Sequence, residues 1–213
     1  MKLIKINLAN EPDCLIELRG NGRSYDDLKD ECLEITRKLL SNDQNGYCAY
    51  CEQKFKSIVF IEHYISQFAE PSKDLDFDNF LGICSGKEYF DPKNSPKHIA
   101  HCGHKRGSEI LTIDPRESND LIKLFYDDKA NIRSTDIDHN NELENTLNLN
   151  FDVLKKRRNN AYKNNYTNLI KVQKLFNWTE KEAIEKALLA INSNKFEFGG
   201  YLKYRYENQV NST

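Results

Sequence analysis

Tyr47-Cys48-Ala49-Tyr50-Cys51, Ile61-Glu62-His63-Tyr64, Asp78-Asn79-Phe80-Leu81-Gly82-Ile83-Cys84 and His101-Cys102-Gly103-His104-Lys105-Arg106-Gly107 belong to one stretch, residues 47–107, around which the chain is organised. Four of the six cysteines and four of the five histidines fall inside it. Cys48 and Cys51 have CxxC spacing, which lets two thiolates approach one tetrahedral Zn²⁺ from a tight knuckle. One pair cannot close a site. Cys84 and Cys102 supply the second pair across residues 85–100, where Gly86, Pro92 and Pro96 predict an irregular insertion. Four thiolates leave no open position, so such a zinc is structural and worth roughly 10–16 kcal/mol of apparent binding energy at neutral pH. The competing readings are two unrelated buried pairs or a redox CxxC, which needs a βαβ context that the flanking pattern lacks.

Between the two cysteine pairs, the β-branched and apolar run Ser57-Ile58-Val59-Phe60-Ile61 predicts a strand that delivers Glu62 and His63. Neighbours at a strand end face different sides and can hold different roles. His63 is neutral near pH 7 and can accept a proton from water. Glu62 offers a hard oxygen to Mg²⁺ or Mn²⁺. Phe80-Leu81-Gly82-Ile83 predicts a second short strand ending at Cys84. Lys105 and Arg106 stand where a neighbouring phosphate could be met, or form a solvated surface. Hydrolysis of a phosphodiester needs an activated nucleophile and neutralised oxygens, which a histidine and a divalent cation supply between them.

The order CxxC, (D/E)H, Asn before a short apolar strand, Cys, and Cys followed by a basic residue and Gly resembles an HNH endonuclease of the ββα-metal fold with a four-cysteine zinc site. Within that family the chain is most similar to the Septu-type antiphage HNH subunit, which also occurs beside some retrons. The likeness covers most of residues 1–175. It includes the Ile61-Glu62-His63 motif, Asn79-Phe80-Leu81-Gly82-Ile83-Cys84, His101-Cys102 to Arg106-Gly107, and Leu147-Asn148-Leu149-Asn150 with Leu154 and Arg157 or Arg158. The resemblance implies that His63 is the general base, that Glu62 binds the catalytic divalent ion, and that Asn79 holds the loop bearing His63. The position after the last cysteine usually carries a further ligand. Here it is Gly103, which has no ligand atom, and His104 next to it is the substitute through a one-residue shift. The family further implies DNA as substrate, with structured RNA left open, and an ABC-type ATPase as partner in bacterial defence.

Outward from this stretch, the 213 residues admit one or two domains. Lys and Arg total 31 against 33 Asp and Glu, so any nucleic-acid site is a local patch. No run is long and apolar enough for a membrane span or a signal peptide, which places the chain in the bacterial cytoplasm as an expectation. Disulfides are then not expected, and Cys32 reads as a buried apolar-like residue. Lys2–Leu8 predicts a short strand, and Ser24 to about Leu40 a helix capped by Ser24 with Asp27, with Leu28, Cys32, Ile35 and Leu39 on one face. Arg106–Glu109 could open a short helix, Glu142–Leu149 predicts a helix, and Asp152–Phe176 a longer one with Leu154, Ala161, Leu169, Val172 and Phe176 on one side. Its Lys155-Lys156-Arg157-Arg158 run is a candidate contact for nucleic acid or an acidic partner, or a solvated face. His139 reads as a surface residue at a helix start, and His98 and His101 as loop residues or as neighbours that back the metal ligands. Thr179 with Glu182 caps a helix through Ile191; residues 196–206 admit hairpin or helix, and 208–213 fray. The expected fold is α+β: an N-terminal strand and helix (1–45), a zinc-stapled ββα nuclease core (46–115), and a mainly helical region for partner docking (116–213). A non-catalytic zinc module that binds nucleic acid or protein is the alternative, and Gly103 favours it.

Overall fold

Residues 1–8, whose alternation predicts a strand, find no strand to pair with. The Ile4 N–H donates to the Pro115 carbonyl at 2.9 Å and the Asn7 N–H to the Asp43 carboxylate at 2.9 Å, and Met1 and Ile4 bury their side chains without a ladder. The computed structural model describes residues 1–56, 58–91, 95–193 and 196–210, with the backbone alone at 88–91 and 95–98. Pro12 precedes α1 (Asp13–Gly20), and α2 is Asp30–Asp43. The helix expected from Ser24 is therefore split. The reciprocal Ser24–Asp27 box is present but caps a single 3₁₀ turn, Tyr25–Asp27. Asp30 takes φ 50°, which no continuous helix accommodates. The later start rotates the buried stripe to Thr36 and Leu40 and leaves Ile35 40% exposed. The two helices are tied by a Cys14–Cys32 disulfide with Cα atoms 6.0 Å apart. The expectation of an unpaired Cys32 is corrected: the two cysteines, 18 positions apart, are brought together as the chain folds back around Leu15 and Leu40.

Strand β1 (Phe60–His63) pairs antiparallel with β2 (Phe80–Ile83), with Glu62 opposite Leu81 and His63 opposite Phe80. β2 falls where expected. β1 starts late, because pairing begins only where Phe60 meets Ile83; Ser57 lies outside the described residues. Gln44, just past α2, clamps the pair: its side-chain amide donates to the Gly82 carbonyl at 2.7 Å and accepts from the Gly82 N–H at 2.7 Å. A Cβ on Gly82 would sit 3.0 Å from Val59 and 3.2 Å from that amide, so glycine suits this crossing. The segment between Cys84 and Cys102 is not irregular. It holds a hairpin, β3 (Lys87–Asp91) with β4 (Ser95–Ala100), although Pro92 and the His98 side chain lie outside the described set. The one-turn helix α3 (Gly103–Arg106) follows, three residues before the position expected for it.

The chain continues through α4 (Ser118–Leu121), the antiparallel pair β5 (Leu124–Tyr126) and β6 (Ile132–Ser134), and α5 (Ile137–Asn141), which runs into a π turn over Glu142–Thr146. That turn stops short of the expected Leu149. α6 (Asp152–Phe176) has the expected bounds, but its apolar stripe is buried only near its start, at Leu154 and Tyr162; Val172 and Phe176 are exposed. α7 (Glu180–Asn192) carries the expected Thr179–Glu182 capping box, and residues 199–210 form a helix, α8 (Gly199–Val210). Helical order thus extends to Val210; residues 211–213 lie outside the description.

The architecture is α+β, with small two-stranded antiparallel sheets among helices. One core runs from Cys48, Tyr50 and Leu81 through Leu111 and Ile113 to Leu147, Leu154 and Tyr201. A second joins Leu15, Leu28 and Leu40 to Leu75, Phe77 and Phe80. Side chains from either side of 45/46 and of 115/116 share these cores, so the expected boundaries divide the sequence but not the packing. Fully burying each Leu or Phe contributes roughly 1.5–3 kcal/mol. No helix among the described residues is long and apolar enough to cross a membrane.

Candidate metal centre and the Glu62–His63 site

Two turns and a strand end bring the four cysteines together. In the knuckle, the Cys48 N–H donates to Gln53 O at 2.9 Å and the Glu52 N–H to Cys48 O at 3.1 Å, while the Ala49 N–H docks the turn on Gly82 O at 3.0 Å. Cys84 follows β2 directly, and Cys102, at φ 55°, caps α3. The four Sγ atoms lie within 4.8 Å of one another, with Cys48–Cys102 and Cys51–Cys84 at 3.8 Å and Cys84–Cys102 at 3.9 Å. A tetrahedron with metal–sulfur bonds of about 2.3 Å has edges of about 3.8 Å. Burial pushes the Cys51 and Cys102 thiols up, while the neighbouring thiols hold Cys84 down. Four such groups ionise together only around a cation. The donor set therefore fits a structural metal ion such as zinc, with no position left for substrate. Buried His101 joins this centre as a neighbour of a ligand, the second of the two readings open for it: its Nδ1 lies 3.1 Å from Cys102 Sγ, and its ring stacks on Phe151 at 5.2 Å.

Glu62 and His63 face opposite sides of β1, as strand alternation requires. Glu62 turns towards α3. Its Oε1 accepts from Arg106 Nη1 at 2.7 Å and from Tyr50 OH at 3.3 Å. Burial raises the Glu62 pKa, opposed by the Arg106 charge. Arg106 is only 2% exposed, and it also donates to the carbonyls of His63 (2.9 Å), Tyr64 (2.5 Å) and Glu109 (2.7 Å). Arg106 is thus no surface phosphate contact; it braces the loop that leaves β1. Gly103 has a packing reason: a Cβ there would stand 2.2 Å from Glu62 Oε2 and 2.4 Å from Ile83. Exposed His104 sits edge-on to Phe60 at 6.2 Å. Among the described residues, the four cysteines are the only group of three or more Cys, His, Asp or Glu close enough to share an ion. Glu62 and His104, expected to share a divalent ion, fall in no such group, and Arg106 engages Glu62 Oε1.

His63 turns the other way, edge-on to Tyr25 (4.6 Å) and Phe80 (5.0 Å). Its Nε2 lies 2.8 Å from the Asp74 carbonyl oxygen. A carbonyl only accepts, so Nε2 carries the proton and Nδ1 is the acceptor of the neutral ring. Burial lowers the His63 pKa, which keeps the ring neutral at pH 7. Asn79 is buried and ties the loop after His63: it accepts from the Ile65 N–H at 2.8 Å and donates to the carbonyls of Ile65 and Lys73, both at 3.0 Å. Asp74 was not foreseen. It holds His63 through its carbonyl and accepts from the Tyr25 N–H through its carboxylate at 2.9 Å, and a residue acting through its backbone leaves no side-chain signal in sequence.

The basic run 155–158 does not act as one patch, because successive helical residues are turned by about 100°. Arg158 is 1% exposed and donates to Ala130 O at 3.0 Å, so it faces the core and not a phosphate. Lys155 pairs with Asp152 at 3.0 Å, Arg157 donates to Gln53 Oε1 at 2.8 Å, and Lys156 is exposed, as is Lys105. His139 is buried, 3.9 Å from Asp120, and not a surface residue. Compared with known proteins, the chain matches no family model and no curated protein.

Proposed function

We propose that this chain is a zinc-stapled ββα nuclease in which His63 takes a proton from the water that attacks a nucleic-acid phosphodiester. The observation that carries this reading is the His63 ring. Its Nε2 proton is committed to the Asp74 carbonyl, its Nδ1 is the acceptor, and burial favours the neutral form. A neutral ring with one unprotonated nitrogen is the form a general base requires. The Asn79 bonds to Ile65 and Lys73 supply the loop rigidity that a base requires. The four-sulfur geometry supports zinc as the staple. A role in antiphage defence beside an ABC-type ATPase belongs to the same proposal; the cytoplasmic placement stands against the Cys14–Cys32 disulfide, which a reducing compartment would open. Exposed Leu175, Phe176 and Leu189 at the end of α6 and on α7 support a docking surface.

The second reading, a non-catalytic zinc module, is favoured by one observation: Arg106 engages the carboxylate that a divalent cation would need. Plasmid nicking by purified wild type and His63→Ala, with Mg²⁺ or Mn²⁺ and with EDTA, decides between them. Cation-dependent cutting that His63→Ala loses supports the nuclease. Equal cutting by both proteins removes His63 from the role. No cutting by wild type, with or without a co-purified ATPase, supports the non-catalytic module.

A further inference from the structure

A cleft of about 130 Å³ opens between the knuckle, the turn after β2 and the first turns of α6. Four cations line it, Lys54, Lys56, Lys87 and Arg157, with no Asp or Glu among the described lining residues. The three lysines are exposed, and among the described residues no ion pair engages them. Arg157 is braced by Gln53 Oε1 at 2.8 Å, which sets the plane of its guanidinium. A chain with 33 acidic and 31 basic residues has gathered four cations at one concavity whose described lining holds no carboxylate. Such a focus attracts anions well beyond contact distance. A preset guanidinium beside flexible ammonium groups suits phosphate oxygens, which accept bidentate and point-charge contacts alike.

We infer that this cleft docks the phosphodiester backbone of a nucleic-acid strand, remote from His63. The inference deepens the nuclease reading and rests on it for the substrate class. Ile58, which also lines the cleft, precedes His63 by five residues, so the two are separated by at most about 18 Å of chain. A strand reaching from one to the other needs about five nucleotides at a rise of 3.4 Å each. Cys84 borders the same cleft, so a competing role exists: four thiolates around one divalent ion carry excess negative charge that these cations could balance.

The test is fluorescence anisotropy of labelled oligonucleotides, single-stranded and duplex DNA and RNA, titrated at several salt concentrations. His63→Ala serves as the uncut background, and metal content is measured on every sample. Adding Lys54→Gln, Lys56→Gln and Lys87→Gln together should weaken binding about tenfold or more and lower the salt slope by about two, at roughly 0.7–0.9 per lost phosphate contact. Arg157→Gln alone should lower the slope by about one. All four nucleic acids share the phosphodiester, and the arms show which is held best. Unchanged affinity in the variants, loss of metal without loss of affinity, or no binding by the unaltered cleft each overturns the inference. Cutting that persists with undiminished binding in the cleft variants sinks the cleft and leaves the nuclease standing. Cleft-dependent binding without cutting by the unaltered chain does the reverse.

Discussion

Replacing Arg106 by Met tests the arrangement on which the Glu62 side of the site depends. The guanidinium is buried, and it holds Glu62 Oε1 at 2.7 Å together with three backbone carbonyls. Met keeps much of the volume but removes the charge and every donor. Breaking one partner of a buried pair costs about 3–5 kcal/mol, because the other charge is left unpaired in a poor solvent. With a urea m-value of about 2 kcal/mol/M, the midpoint should fall by about 1.5–2.5 M. The loss should also depend on pH. Burial already raises Glu62 above its ordinary 4.5, and removing Arg106 raises it further. A carboxylate whose folded pKa is raised binds its proton more tightly in the folded state. Stability therefore falls as pH rises from the unfolded value through the folded one, and returns as pH falls. The deficit of Arg106→Met should accordingly shrink on acidification, and Glu62→Gln should recover part of it at neutral pH. Circular dichroism of the two single variants and the double variant between pH 4 and 8 gives the cycle. A loss under about 1 kcal/mol, with no coupling between the two positions, would show that the pair is solvated and the reasoning wrong.

Metal removal should be more drastic. A chelator, or Cys48→Ser, should abolish the metal signal and unfold the chain, because roughly 10–16 kcal/mol of site energy matches or exceeds the stability of a typical domain; mass spectrometry with circular dichroism reads both. Gly103→Ala should cost about 1–3 kcal/mol by driving a methyl into Glu62 and Ile83, whereas Gly20→Ala, with open space around it, should cost nothing. If the nuclease reading holds, the acid limb of the pH–rate profile lies below the ordinary histidine value of 6.5, since His63 must be neutral to act and burial lowers its pKa. Reducing the Cys14–Cys32 bond should remove about 3 kcal/mol, the entropy of closing a short loop; a thermal melt unchanged by reductant would contradict that pairing.

The Cys48–Cys51 knuckle, the β2 strand, the bounds of α6 and the capping box of α7 could be read from the sequence because each depends on spacing or periodicity within a few residues, whereas Cys84 and Cys102 were matched to the knuckle as the remaining cysteines of the same stretch. The N-terminal strand failed for the complementary reason: alternation reports which side is buried, but a strand also needs a neighbour. Residues 24–40 failed at one backbone angle, the positive φ of Asp30. The Lys155–Arg158 run looked uniform as a string of letters, yet the turn of the helix sends Arg158 into the core and Arg157 into a cleft.

The sequence by itself determined that four thiolates would meet, that the chain would mix α and β elements, and that Glu62 and His63 would face apart, because ligand spacing and strand alternation are local properties of the chain. Only the tertiary structure decided what each then touches. Arg106 reaches Glu62 from 44 residues away, Asp74 orients His63 through a carbonyl that every residue possesses, and Cys14 finds Cys32 because two helices share a core. Such partners are chosen by packing, when distant segments exclude water together, and no local spacing encodes them.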